Sequence, residues 1–157
     1  LTQVGFTRLF AGKTLAAGVA GGLLALGAAA VWMSGVVGVL LAHGMMPVIT
    51  PEIVRTVVGV VPASVVGGVL GAGIGWIARN YYAAAAVALA APTAVELALL
   101  GNDAERARYL PGLSLAAVAS PESHPELLEV PVAIVVAVGW AVAVTVLSWV
   151  IGWRRMA

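Results

Sequence analysis

Long stretches of this 157-residue chain carry no charge, and they set its architecture. Residues 14–51 form a run of 38 without Asp, Glu, Lys or Arg; residues 56–78 add 23, residues 80–95 add 16 and residues 130–153 add 24. A helix crosses the hydrocarbon of a bilayer with about 20 apolar residues. The pattern therefore predicts an all-α, polytopic transmembrane helix bundle with four spans, at about 14–42, 56–78, 81–100 and 130–153. The first span is too long for its task, since residues 14–42 measure about 43 Å as a helix against about 30 Å of hydrocarbon. It must tilt, project or break, and Gly35 and Gly38 mark where a break is expected.

Composition agrees. The chain is 62% hydrophobic and 10% charged, with a mean hydropathy of +1.06. A soluble domain of this size lacks the interior to hide so many apolar side chains. A net charge of +1 supplies no basic patch, so no nucleic-acid partner is expected. The absence of cysteine removes disulfides, thiolate metal sites and cysteine nucleophiles.

The cations suggest an orientation. With the N-terminus in the cytoplasm, Arg8, Lys13, Arg79, Arg154 and Arg155 lie inside, and Arg55, Arg106 and Arg108 outside. The acids all fall toward the outer side: Glu52, Asp103, Glu105, Glu122, Glu126 and Glu129 in external segments, and Glu96 near the outer end of its helix. Both ends are then cytoplasmic. The external segment 101–129 holds seven of the fifteen charges, yet Leu113–Ala119 within it is apolar and bracketed by Pro111 and Pro121. A re-entrant or interfacial helix fits that pattern, as does a loop packed on its own protein. Trp76, Trp149 and Trp153, with Tyr81 and Tyr82, form the aromatic belt expected at the cytoplasmic interface.

Gly67, Gly71 and Gly75 recur every fourth residue, and Gly18 and Gly22 repeat the spacing on the first helix. Small residues so spaced let membrane helices approach closely, and these five are the expected packing positions. Pro62 and Pro92 lie inside spans and are expected to kink them. Candidate catalytic chemistry is sparse. Gly12-Lys13-Thr14 resembles the end of a phosphate-binding loop, but Thr7 stands where that motif needs glycine and no strand precedes it. His124 among Glu122, Glu126 and Glu129 reads as a solvated acidic loop more readily than a metal site, and His43 as an interfacial anchor. Ser34, Ser64 and Ser148 have no His or Asp near them in sequence. No metal site and no catalytic residue is expected. Glu96 is the one ionisable group within a span, read as a gating or translocation-path residue with Arg106 or Arg108 as partner, or as an acid reaching the outer headgroups.

Four segments carry a family resemblance: Thr7 to Lys13 (TRLFAGK), Gly67 to Asn80 (GGVLGAGIGWIARN), Tyr109 to Gly112 (YLPG) and Gly152 to Arg155 (GWRR). In their order and sidedness they resemble the permease subunit of type-2 ABC exporters. That resemblance implies a six-helix permease whose first two helices would precede Leu1, so that residues 1–157 form a single transmembrane domain at its C-terminal part. It implies that residues 1–13 are a cytoplasmic coupling segment, with Phe6, Thr7 and Arg8 touching an ATP-binding subunit. It further implies that segment 101–129, with Glu96, Leu110 and Pro111, forms an outer gate. The chain would bind no cofactor itself; ATP and Mg would belong to cytoplasmic ATP-binding partner subunits, and a second permease subunit would complete a homo- or heterodimer in the plasma membrane. The cargo implied is an amphiphilic or hydrophobic drug, antibiotic peptide or lipid, moved outward. A structural or accessory membrane subunit without a transport path is the alternative, and an ion-coupled carrier using Glu96 ranks behind both.

Overall fold

The computed structural model describes residues 3–120 and 127–155. These residues form helices α1 (Gln3–Ala42), α2 (Pro51–Ala78), α3 (Tyr81–Asn102), α4 (Ala104–Ala107), α5 (Pro111–Ala119) and α6 (Val130–Arg154). Four of them, α1, α2, α3 and α6, are long and apolar enough to cross a membrane. The chain is an all-α bundle of the multi-pass membrane type. Its surface confirms the character: Leu24, Val31, Val58, Leu89 and Val135 are all exposed. Side chains that water would expel from a soluble surface are at home against lipid.

The helix ends follow local chemistry. α2 starts at Pro51, five residues before the charge-free run, because proline suits the first turn and Glu52 there favours the positive end of the helix dipole. It ends at Arg79, which adopts a left-handed conformation (φ 54°) and donates its backbone N–H to Gly75 O. Asn80 then caps α3, its Oδ1 accepting from the N–H groups of Tyr82 (2.9 Å) and Ala83 (3.3 Å). Two residues thus reverse the chain. Helical structure runs without interruption through Pro62 and Pro92.

One expectation about α1 needs correction: it is not broken at Gly35 or Gly38 but runs unbroken for 40 residues. The helix is continuous from Gln3, so residues 3–13 share it. This follows from the sequence between Gln3 and Ala42, which contains no proline. α1 lies antiparallel to α2, with Gly21 opposite Ser64 and Ala17 opposite Gly68. In this register residues 36–42 pass about 10 Å beyond the start of α2.

α2 is the hub, packing on α1, α3, α5 and α6. The α1–α2 seam is a reciprocal backbone approach: a methyl on Gly21 would strike Ser64 O, and one on Gly68 would strike Ala17 O. Gly18 and Gly22 flank this crossing, against Val69 and Val65 side chains. The predicted face of Gly67, Gly71 and Gly75 is not the seam. Gly71 and Gly75 have nothing within 4 Å of a would-be Cβ, and Gly67 meets only the tip of Leu115 at 3.9 Å. The helix turns Gly68, one residue along, toward its partner instead. α6 uses Ala133, Ala137, Ala141 and Ser148 as its buried stripe, and Gly73 of α2 abuts Val144 and Ser148. The buried core joins Ala63, Ala117, Val118, Leu128 and Ala133. At the opposite end Phe6, Phe10 and Trp76 form an aromatic cluster, with Phe6 edge-on to Trp76 at 5.7 Å.

Candidate functional site

Between α3 and α6 the chain does not lie flat on the bundle. It turns back into it. α5 packs against α2, α3 and α6. Its Leu115 reaches Gly67 of α2, a level about 24 Å from the start of that helix at 1.5 Å per residue. Trp140, about 15 Å along α6, donates its indole N–H to Tyr109 O at 2.9 Å. The turn between α4 and α5 therefore lies near mid-length of the long helices, and α5 climbs back antiparallel to α2, so that Val118 O closes on Gly59. The described part of segment 101–129, residues 101–120 and 127–129, is thus a re-entrant hairpin, and it is also packed on its own protein.

The sequence explains the hairpin. Asp103 caps α4, its Oδ1 accepting from Arg106 N–H at 3.2 Å while its Oδ2 pairs with Arg106 Nε at 3.1 Å. Leu110 is extended (ψ 154°), as a residue preceding proline must be, and Pro111 opens α5. The hydroxyl of Ser114, fully buried, donates to Pro111 O at 3.0 Å. Its polar group is satisfied locally, which a dry interior requires.

Glu96 is the pin. It projects from α3 with 8% exposure, and its Oε1 accepts the N–H of Gly112 at 2.7 Å. That N–H is one of the donors a helix start leaves unpaired, and the carboxylate meets the positive end of the α5 dipole. A side chain at Gly112 would collide with both carboxylate oxygens. Glu96 thus takes a backbone partner instead of either expected arginine: Arg106 pairs with Asp103, and Arg108 lies over the Tyr109 ring at 5.4 Å with its Nε buried and unpaired.

The expected gate residues Glu96, Leu110 and Pro111 are accordingly brought together. Gly112, Trp140 and Gly59 belong with them and were missed; the Pro-Gly dipeptide at 111–112 was the one sequence signal available. The expected ATPase contacts separate. Thr7 and Arg8 are exposed, but Phe6 is 4% exposed, enclosed by Phe10, Trp76 and Gly152. An aromatic side chain on the inner face of α1 packs on the bundle, as Phe6 does.

The other polar candidates are spent locally. Ser34 and Ser148 donate to carbonyls of their own helix, and His43 Nδ1 lies 2.9 Å from Val39 O. Among the described residues no group of His, Asp or Glu could hold a metal ion; His124, Glu122 and Glu126 lie outside them. An apolar cleft of about 550 Å³ opens between α1 and α2 near the hairpin end, lined by Ala25, Ala28, Trp32, Ile53 and Val57 with Glu52 and Thr56 at its edge. Comparison with protein-family models, with curated proteins and with solved structures finds no match to this chain.

Proposed function

We propose that this chain is the membrane-spanning permease subunit of an ATP-driven exporter, moving an amphiphilic or hydrophobic substrate outward with energy from a separate ATPase subunit. The observation that carries the reading is the re-entrant hairpin pinned by Glu96 among α2, α3 and α6. Irregular backbone at mid-depth is tolerated only where protein or a water-filled cavity surrounds it. Such an element can line a path through a membrane. The apolar cleft with Glu52 at its edge supports a cargo with an apolar body and a polar end. In this reading the hairpin moves as a unit, and the Glu96–Gly112 bond sets its rest position. The end bearing Arg8, Lys13, Arg79 and Arg155 faces the cytoplasm of the plasma membrane. There Thr7 and Arg8 meet the ATPase, which holds ATP and Mg, and a second permease subunit pairs with this one.

The test is purification of the full chain in mild detergent with its partners, followed by mass spectrometry and an ATPase assay. A stoichiometric ATP-binding partner with vanadate-sensitive activity, whose association weakens with Arg8→Glu, is the expected result. A chain that purifies without an ATPase overturns the reading.

One observation favours the second reading, an accessory membrane subunit. The Gly71–Gly75 face stands open, as an assembly surface would. Co-purification with other membrane subunits and no ATPase is the result that selects it.

A further inference from the structure

We infer that the end of the bundle opposite the hairpin holds an anionic phospholipid, its phosphate between Lys13 and Arg79 and its acyl chains along the groove floored by Gly75. This inference does not depend on the transport reading. A cleft of about 440 Å³ between α1 and α2 is lined by Lys13, Ala72, Gly75, Trp76 and Arg79. On the other side of Gly75 a second cleft, of about 470 Å³, lies between α2 and α3 and shares both Gly75 and Arg79. The two clefts flank the C-terminal turns of α2 and meet at Gly75 and Arg79.

Among the described residues, Lys13 and Arg79 have no ion-pair partner. Lys13 Nζ lies 5.3 Å from the centroid of the Trp76 ring, which offers a π face and no counter-charge. The left-handed conformation of Arg79 places its exposed side chain at the groove mouth, where the chain reverses. None of the seven acids of the sequence falls in the described segments that build this end, residues 3–13, 72–88 and 148–155. By the α1–α2 register Lys13 stands level with Ala72, about 10 Å inward from Arg79. A lysine at that depth extends toward the headgroups, and basic pockets between membrane helices take anionic headgroups.

The shape of the groove selects the class of ligand. From Arg79 the clefts descend about 12 Å to Gly71 over an apolar surface of Gly71, Ala72, Gly75, Ala84 and Ala88, with the Trp76 ring on the α1 side. A cation pair at one end and a bare apolar trough below it match a molecule that is anionic at one end and hydrocarbon elsewhere. Free phosphate or an acidic peptide would fill the mouth and leave the trough empty.

Native mass spectrometry of the full chain, released from detergent with phosphatidylglycerol or phosphatidylcholine of the same acyl chains, tests this directly. Wild type should retain phosphatidylglycerol preferentially and melt at a higher temperature with it. The double variant Lys13→Gln/Arg79→Gln should bind it about thirtyfold more weakly. Gly75→Leu, whose side chain enters open space and leaves every charge in place, should also abolish retention. Arg8→Gln/Arg154→Gln, which removes two charges from the same end outside the groove, should bind like wild type. Equal retention of the two lipids by wild type overturns the proposal, as does full retention by Gly75→Leu, which would leave only a charged surface. Stabilisation by inorganic phosphate equal to that by the lipid would reassign the mouth to a soluble anion. If the Lys13/Arg79 variant does not fold, the wild-type preference and the Gly75→Leu result still decide.

Discussion

Glu96 and Gly112 are sixteen positions apart and hold each other through one hydrogen bond of 2.7 Å. The bond joins a carboxylate to a helix start, so geometry and charge contribute separately. Glu96→Gln keeps an oxygen acceptor and loses the charge; it should cost about 0.3–1 kcal/mol, the usual worth of a charge at a helix terminus. Glu96→Ala leaves the Gly112 N–H without its carboxylate acceptor and should cost about 1–3 kcal/mol. Thermal unfolding in detergent measures both, and equal losses would show that charge alone matters. In an assembled exporter Glu96→Gln should also alter substrate-stimulated ATP hydrolysis, and wild-type stimulation would remove Glu96 from the gate. Gly112→Ala probes the same contact from the other side. Its methyl must displace the carboxylate, so it should destabilise although alanine is the better helix former. The residue type at 96 was legible as unusual from sequence, since a lone acid in an apolar span demands a partner. Its partner was not, because a backbone N–H leaves no mark in the amino-acid code.

At the scale of elements the outcome turns on rotation about helix axes. Each of the four long helices is apolar nearly all round, so the stripe that would reveal a buried face in a soluble helix is absent. Glycine spacing was the remaining guide, and it chose Gly67, Gly71 and Gly75 where the seam uses Gly68. Two substitutions separate the faces. Gly21→Val drives a side chain into the Ser64 carbonyl and should destabilise by about 1–3 kcal/mol, the range for overpacking. Gly71→Leu meets open space within the chain and should leave the melting temperature of the isolated chain unchanged. A large loss with Gly71→Leu and none with Gly21→Val would reverse the seam. The turn between α2 and α3 gives a third case: Asn80→Ala removes the cap of α3 and should cost about 1 kcal/mol by the same melting assay.

For the whole molecule, two ends of opposite charge follow from the fold. Arg8, Arg79 and Arg155 share one end, where the Arg155 guanidinium reaches Ile77 O at 3.4 Å, while Glu52, Asp103 and Glu105 belong to the other. The chain has no cysteine, so single cysteines report sidedness cleanly. Arg8→Cys and Arg154→Cys should react with an impermeant thiol reagent from one side of a sealed vesicle, and Glu105→Cys from the other. Labelling of all three from one side would refute the topology. The number of spans, their approximate limits and the separation of charge were determined by the sequence alone. Each depends on the cost of placing charge in hydrocarbon, a property of composition along the chain and not of packing. Helix α5 was legible too, as an apolar stretch between prolines. Its depth, the burial of Phe6, the choice of Gly68 over Gly67 and the meeting of Glu96 with Gly112 were decided only in the tertiary structure. In lipid, apolar surface gains nothing by being buried. Which faces meet is therefore settled by close backbone fit and by satisfying polar groups across helices, and both exist only once the helices are assembled.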